Sequence, residues 1–118
     1  MNALIDGLRE ARAFPHPAGP VRVVETHISW VLLTGDFAYK IKKPLDLGFL
    51  DYSTLALRQR FCEEELRVNR RYAPELYLDV VAITASADGP EIGGAGKVIE
   101  YAVRMRQFPD DALLADVV

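Results

Sequence analysis

Residues Leu55 to Ala73 read LALRQRFCEEELRVNRRYA, and this segment predicts a helix that carries a carboxylate on its apolar side. At about 100° per residue, Glu65 falls near the middle of one broad apolar arc, with Arg58 and Asn69 beside it. A carboxylate that loses its water is costly unless a basic group pairs with it, so the pattern predicts a cation opposite Glu65. The arc is formed by Leu55, Leu57, Phe61, Cys62, Leu66, Val68, Tyr72 and Ala73.

The partner expected for this carboxylate lies on the preceding strand, which reads FAYKIKK from Phe37 to Lys43. Side chains alternate between the two faces of a strand, so Ala38, Lys40 and Lys42 share one face. Lys40 lies between two apolar residues and is the lysine that we expect to meet the helix glutamate. For Lys42 and Lys43 we expect solvated cations, which discourage pairing between exposed strand edges.

Two alternatives to a functional role for Glu65 are a purely structural ion pair and a helix tilted so that the carboxylate reaches water. The functional interpretation rests on Ala38, which shares its strand face with Lys40. A small side chain leaves room for a purine ring, and a lysine about 7 Å further along the strand reaches the phosphates. This strand face therefore predicts a nucleotide site.

The turn between the first two strands, Thr26 to Ser29, is a second candidate phosphate contact. Its backbone N–H groups and the hydroxyls of Thr26 and Ser29 are the donors that a phosphate oxygen needs. The turn contains no glycine, unlike most phosphate-cradling loops. His27 is either a phosphate contact and proton carrier or a hydrogen-bonded turn residue.

Composition indicates one ordinary globular domain. The chain has 118 residues and a net charge of −3, whereas a dedicated nucleic-acid binder normally carries a basic face. Its single cysteine, Cys62, excludes an intramolecular disulfide, and with His16 and His27 it makes no recognisable zinc site. The first ten residues lack the apolar core of a signal peptide, and no apolar run approaches the roughly 20 residues of a membrane span. We therefore expect a cytoplasmic protein with neither a membrane nor a nucleic-acid partner.

The remaining pattern predicts an α+β fold in which a five-stranded antiparallel sheet packs one helix between strands three and four. We expect Ser53 to cap that helix, Pro74 to end it, and the stretch from Asp88 to Gly96 to be a flexible hairpin loop. Gly35 is expected to take a positive φ in the turn between the second and third strands. The other expected elements are a short helix at Asn2–Ala13 and strands at Val21–Glu25, Trp30–Thr34, Phe37–Lys42, Leu76–Ala85 and Val98–Gln107.

Seven segments, in order and spread over nearly the whole chain, resemble a bacterial aminoglycoside phosphotransferase-like family with a protein-kinase-like fold. Members of that family are often fused to a C-terminal P-loop ATP-binding kinase domain. The matching segments are FPHP (14–17), ETHIS (25–29), AYKIKKP (38–44), GFLDYST (48–54), CEEEL (62–66), NRRYAPELYL (69–78) and EYAVRM (100–105).

The resemblance implies ATP and Mg²⁺ as ligands, with Lys40 as the phosphate-holding lysine and Glu65 as its helix partner. It also implies that the segment from Met105 through Gln107 to Phe108 receives the adenine, since a kinase chain crosses there between its lobes. The alternative for Met105, which the sequence alone favours, is an ordinary core residue. Read this way, residues 1–118 form one small lobe: residues 1–20 are an N-terminal helix and proline-rich loop, 21–108 the lobe itself, and 109–118 the start of a large lobe.

The chain lacks the motifs that carry the catalytic chemistry in this family. It has no His-Gly-Asp motif with a downstream asparagine and no Walker-type phosphate loop, so it offers neither the Mg²⁺ ligands nor the catalytic aspartate. We expect a truncated piece, inactive alone, whose partner is the missing lobe or a P-loop kinase domain. Its lower face should then be open and prone to self-association, with five apolar residues partly exposed: Val103, Met105, Phe108, Leu113 and Leu114.

Two other function classes remain as alternatives. The first is a non-catalytic ligand-binding or protein-interaction module that keeps the fold without the chemistry. The second is RNA binding, which would require six basic residues to converge on one surface and binding to fall steeply with salt. These residues are Lys40, Lys42, Lys43, Arg67, Arg70 and Arg71.

Overall fold

The structure of the chain is a computed structural model that describes residues 3–16, 20–46, 48 and 51–107. It contains two α-helices, one short 3₁₀ turn at Ala11–Ala13 and six strands within these residues. The helices are α1 (Ala3–Gly7) and α2 (Leu55–Arg70), and the strands are β1 (Arg22–Glu25), β2 (Ser29–Leu33), β3 (Phe37–Lys42), β4 (Tyr77–Thr84), β5 (Glu91–Ile92) and β6 (Val98–Arg106).

The strands form one antiparallel sheet in the order β1-β2-β3-β6-β4-β5, with α2 inserted in the chain between β3 and β4. The predicted α+β class and the position of the helix are confirmed, but the prediction of five strands was wrong. The extra strand is β5, which pairs with Ile83 and Thr84 of β4 inside the segment expected to be a plain hairpin loop. Two residues are too few to show an alternating pattern, which is why the sequence did not reveal this strand.

The alternation predicted for β3 is confirmed and divides the core into two layers. Tyr39 and Ile41 pack with Ile5 and Leu8 of the N-terminal segment on one face of the sheet. Ala38 lies on the other face, in a cluster that includes Cys62 of α2. Helix α2 therefore covers the sheet face that carries the two lysines of β3.

The N-terminal segment is less helical than predicted. Instead of one helix to Ala13, α1 ends at Gly7 and a 3₁₀ turn follows. A Cβ at Gly7 would lie 2.6 Å from the ring of Pro90, so only glycine permits this close packing. The segment is also held by a 2.7 Å hydrogen bond between His16 Nε2 and the Tyr39 hydroxyl.

Helix α2 is capped by Thr54, whose Oγ1 accepts a 3.1 Å hydrogen bond from Leu57 N–H, and not by Ser53 as predicted. Its predicted apolar arc is wider than the face that the sheet covers. Cys62 is fully buried, whereas Val68 is 40% exposed. The predicted helix continued to Ala73, but α2 ends at Arg70, so Tyr72 lies beyond it and is 84% exposed.

The turn between β2 and β3 matches the prediction, because Gly35 has a φ of +114°.

The predicted exposure of the apolar face was wrong for the residues that the structure describes. Val103 is 0% and Met105 is 2% exposed, since both lie in the cluster beneath α2. The remainder of that expectation concerns Phe108, Leu113 and Leu114, and it lies outside the described residues together with the expected start of a large lobe at residues 109–118. Within the part of the chain that the structure describes, no helix is both long and apolar enough to cross a membrane.

Candidate functional site

Glu65 of α2 meets two lysines of β3 rather than one. Its Oε2 lies 3.2 Å from Lys40 Nζ, and its Oε1 lies 2.6 Å from Lys42 Nζ. The two lysines are two residues apart on a strand, so their side chains rise from the same face toward the helix. The predicted pairing of Lys40 with Glu65 is therefore present, and Lys42 adds a second, shorter ion pair.

The two ion pairs differ in geometry and in burial. Lys42 donates a hydrogen bond to Glu65 Oε1, and its side chain is only 4% exposed. The Lys40 side chain is 16% exposed, and its ammonium group lies within ion-pair distance of Oε2 without forming a well-aligned hydrogen bond. Among the described residues, this buried Oε2 atom has no hydrogen-bond donor of good geometry. Lys42 thus binds Glu65 tightly, while Lys40 makes a looser contact.

Electrostatics favour the charged forms of Glu65 and Lys42. Burial alone would raise the pKa of the Glu65 carboxyl, but the charges of Lys42 and Lys40 outweigh burial and hold that pKa below its ordinary value. Burial likewise favours neutral Lys42, yet the carboxylate of Glu65 outweighs this effect and raises the pKa of Lys42. Two ammonium groups facing one carboxylate leave an excess positive charge beneath α2.

The surroundings of Lys42 fix its position. Its Nζ lies 5.0 Å from the centre of the buried Tyr52 ring, a distance typical of a cation–π contact. Cys62 lies one helical turn before Glu65, and burial raises the pKa of its thiol to about 12. Burial and the charge of Glu65 also raise the pKa of Tyr77 on β4. The ammonium group of Lys42 is therefore enclosed by the helix, the sheet and the segment that precedes the helix.

A second buried ion pair extends the polar contacts between helix and sheet. Arg58 of α2 donates from Nε to both carboxylate oxygens of Glu100, each at 3.0 Å. Arg58 and Glu65 were placed on the same arc by the sequence, but Glu100 was not expected to face the helix. A register shift between β4 and β6 falls beside Glu100, and such irregularities re-aim side chains.

Most hydrogen-bond donors of the turn from Thr26 to Ser29 are bound to acceptors within the same turn. Thr26 Oγ1 accepts hydrogen bonds from Ile28 N–H at 3.3 Å and Ser29 N–H at 3.0 Å, and it lies 2.8 Å from the Ser29 hydroxyl. Ser29 is buried, and only His27 is exposed at the tip. A phosphate contact through Thr26, Ile28 or Ser29 would have to displace hydrogen bonds that hold the turn together, whereas His27 makes none of these bonds.

Of the residues expected near an adenine, Ala38 and Met105 lie side by side, while the side chain of Gln107 lies at the β2–β3 turn. Ala38 and Met105 are cross-strand neighbours on the face that carries Lys40, and both are buried. Gln107 lies at the end of β6, where its side-chain oxygen accepts a 2.9 Å hydrogen bond from Gly35 N–H. The side chain of Gln107 thus supports the β2–β3 turn, and the space beside Ala38 is filled by the protein.

The expectation that Lys42 and Lys43 are solvated cations was wrong. Strand β3 lies in the middle of the sheet between β2 and β6, so it has no edge to protect. Lys42 is bound to Glu65, and Lys43 Nζ lies 2.6 Å from a carboxylate oxygen of Glu25 and 5.4 Å from the Trp30 ring centre. The spacing of Lys40 and Lys42 was the available signal, since residues two apart on a strand share a face.

No known family model matches the chain, and no solved structure matches it significantly. The chain is 38% identical over 98 residues to uncharacterized proteins of Mycobacterium bovis and of Mycobacterium tuberculosis strains CDC 1551 and H37Rv. Each match covers 83% of this chain but 18% of the relative, so the chain spans less than a fifth of the length of these curated relatives. These relatives are described only as uncharacterized, so the likeness assigns no activity.

The described residues at this site carry an excess of positive charge. Lys40 and Lys42 place two ammonium groups against one carboxylate, which is the chemistry that an oxyanion needs. Over residues 3–16, 20–46, 48 and 51–107, no group of three or more His, Cys, Asp or Glu side chains is arranged to hold a metal. Lys40, the more exposed of the two lysines, is the cation at this site that an oxyanion could approach.

Proposed function

We propose that this chain is the nucleotide-binding small lobe of a kinase-like phosphotransferase that acts on a small-molecule hydroxyl. The observation that carries the proposal is the contact of Lys40 with Glu65, at 3.2 Å beneath α2. In kinase-like enzymes a strand lysine paired with a helix glutamate orients the phosphates of ATP. Lys40 would have this role here, and Glu65 would hold its ammonium group in place.

The topology supports the proposal. Strands β1, β2 and β3 follow one another in the sheet, β6 lies next to β3, and α2 connects β3 to β4. This order places the helix glutamate over the third strand, which is the arrangement expected from the resemblance to a kinase-like small lobe. The additional strand β5 lies at the edge of the sheet beside β4, and it does not pair with β3, which carries Lys40 and Lys42.

Charge supports it as well. The site holds one more cation than anion among Lys40, Lys42 and Glu65, and Lys40 is the more exposed of the two lysines. An ammonium group shielded from water by a helix binds a phosphate oxygen more strongly than a fully solvated ammonium group does. The nucleotide base would lie toward Met105 and Gln107, and it would have to open the packing around Ala38.

Phosphoryl transfer also needs metal ligands and a group that orients the nucleophile. We propose that a further lobe or a P-loop kinase domain supplies them, that the cytoplasm is the site of action, and that the described part of the chain binds nucleotide without turning it over.

Calorimetric titration of the chain with Mg²⁺-ATP tests the proposal. We expect saturable heat for the native protein, no saturable heat for Lys40→Met, and unchanged binding for Lys43→Met. Lys43→Met is a matched control, because it removes the same charge three residues away, from an ion pair with Glu25 that does not involve Glu65. Native protein that gives no saturable heat, or Lys40→Met that binds as the native protein does, would count against the proposal.

A second candidate function is an interaction module with the same fold but no nucleotide. Two observations favour it: the hydroxyls of Thr26 and Ser29 are already hydrogen-bonded within their turn, and Ala38 and Met105 are buried. This candidate predicts no saturable heat with ATP for any of the variants. The titration should be repeated on a longer polypeptide that includes a further lobe. Saturable heat there would indicate a nucleotide site that needs a second lobe, and its absence would favour the interaction module.

A further inference from the structure

A single lysine between a helix glutamate and a phosphate faces a conflict. If Lys40 turned toward a phosphate and no other cation were present, Glu65 would remain buried and unpaired, which is costly. The Glu65 side chain is 14% exposed and its Oε2 atom is buried, so water gives it little compensation. A second cation bound to the same carboxylate removes this conflict.

Lys42 has the geometry of a permanent counter-ion. It donates the shorter contact to Glu65, at 2.6 Å, and it is nearly excluded from solvent at 4% exposure. The ring of Tyr52 lies on another side of its ammonium group. Lys42 therefore has neither the room nor the exposure needed to reach a ligand.

Lys40 has the geometry of an exchangeable contact. Its side chain is four times as exposed as that of Lys42, at 16% against 4%, and its 3.2 Å contact with Oε2 lacks good hydrogen-bond alignment. Moving Lys40 toward another oxyanion breaks no well-aligned hydrogen bond, and the new anion replaces the attraction that Lys40 loses with Glu65.

We propose that Lys42 is a positioning residue that neutralises and orients Glu65, so that Lys40 is available to bind the phosphate chain of a nucleotide. The inference rests on the proposed function for the identity of the ligand, whereas the unequal roles of the two lysines rest on geometry. Lys42 touches only protein groups, and Lys40 moves between Glu65 Oε2 and the phosphate. Glu65 keeps a partner in both states.

The first test follows the titration of Glu65 by carboxyl ¹³C NMR, with no ligand present. The ionisable groups that interact with Glu65 are Lys40 and Lys42 on β3, Cys62 on its own helix and Tyr77 on β4, and Tyr52 before the helix interacts with Lys42. Cys62, Tyr52 and Tyr77 are present in every one of these variants, which replace only a lysine. We expect Lys42→Met to raise the Glu65 titration midpoint more than Lys40→Met does, and Lys43→Met to leave it unchanged. A larger shift in Lys40→Met would overturn the assignment of the two roles.

The second test measures affinity for inorganic triphosphate and for Mg²⁺-ATP. In Lys42→Met the carboxylate retains only Lys40, so we expect affinity to fall about tenfold, which corresponds to about 1.4 kcal/mol. Lys42→Arg keeps a cation beside Glu65 and should recover most of the affinity. A Lys42→Met variant that binds as tightly as the native protein, or a Lys42→Arg variant as weak as Lys42→Met, would contradict the proposal.

A third measurement covers the case in which Lys42→Met does not fold. Ammonium ¹H–¹⁵N spectra of the native protein report directly how long each lysine keeps its protons. We expect a slowly exchanging Lys42 signal and a fast-exchanging Lys40 signal, and the reverse order would refute the roles. If the native protein binds neither ligand, the proposed function fails, while the Glu65 titration and these spectra still decide whether Lys42 is the principal partner of Glu65.

Discussion

Arg58 and Glu100 form a buried ion pair that joins helix α2 to strand β6, with 11% and 6% of their side chains exposed. The pair is well satisfied, because Arg58 Nη1 also donates to the Tyr52 carbonyl oxygen at 2.8 Å and Glu100 Oε1 accepts from Tyr101 N–H at 3.1 Å. Partners 42 residues apart in the chain are thereby fixed next to the Glu65 site. The pair thus helps to determine where α2 lies on the sheet.

Replacing Arg58 by methionine should destabilise the fold strongly. The change leaves Glu100 buried without its cation, and breaking a buried pair typically costs about 3 kcal/mol. Urea unfolding followed by circular dichroism measures this loss of unfolding free energy. The matched control is Arg67→Met, which removes an exposed ion pair with Glu64 on the same helix and should have little effect. Equal losses in the two variants would show that burial of the Arg58 pair has no energetic consequence.

Stability should fall in acid because of Glu65. The lysines hold the folded pKa of Glu65 below the ordinary value of 4.5 despite its burial, so the folded state favours the charged carboxylate. A depressed folded pKa gives stability that is fully present above the unfolded pKa and is lost as the pH falls through the folded pKa. We therefore expect the unfolding free energy to decrease below about pH 4.5.

The comparison that isolates this effect is Glu65→Gln. This variant has no carboxyl to protonate at that position, so its unfolding free energy should fall less steeply over the same acidic range. Asp51 and Glu64 also have lowered pKa values, but both carboxyls are present in the native protein and in the variant, so their effects cancel in the difference. Identical slopes for the native and variant proteins would mean that the Glu65 carboxylate does not stabilise the fold.

Part of the candidate site could be predicted from the periodicity of the helix and of the strand. The helical arc and the strand alternation predicted both members of the Lys40–Glu65 contact, because periodicities of 3.6 and 2 residues are properties of the local backbone. The same alternation placed Lys42 on that face, yet its burial depends on β3 lying between β2 and β6. Strand order arises from long-range pairing, and the local pattern does not contain it.

Two other differences have similar causes. Glu100 faces α2 beside a register shift, which the regular alternation of β6 does not reveal. Tyr72 was placed on the apolar arc of the helix, but α2 ends at Arg70, and Tyr72 lies in the turn that follows with 84% of its surface exposed. Periodicity thus predicts which residues share a face, while the extent of the opposing layer determines which of them are buried.

Replacing Tyr39 by phenylalanine should loosen the N-terminal segment. The Tyr39 hydroxyl is buried and hydrogen-bonded to His16 Nε2 at 2.7 Å, and it connects this segment to the centre of the sheet. Losing such a bond costs about 1 kcal/mol, so thermal unfolding should occur at a lower temperature and amide exchange at Ile5 and Leu8 should accelerate. Tyr72→Phe removes an exposed hydroxyl and should change neither measurement. Unchanged exchange in Tyr39→Phe would show that packing alone holds the segment.

Cys62 should be unreactive in the folded protein and should report the opening of α2. Burial raises the pKa of its thiol to about 12, and its side chain is 0% exposed. Because the thiolate is the reactive form, a disulfide reagent at about pH 8 should modify the native protein far more slowly than the urea-unfolded protein. Arg58→Met should increase the native rate, since the helix then loses its buried link to Glu100. A native rate close to the unfolded rate would mean that α2 leaves the sheet readily, and the Lys42–Glu65 contact would then be too short-lived to position Lys40.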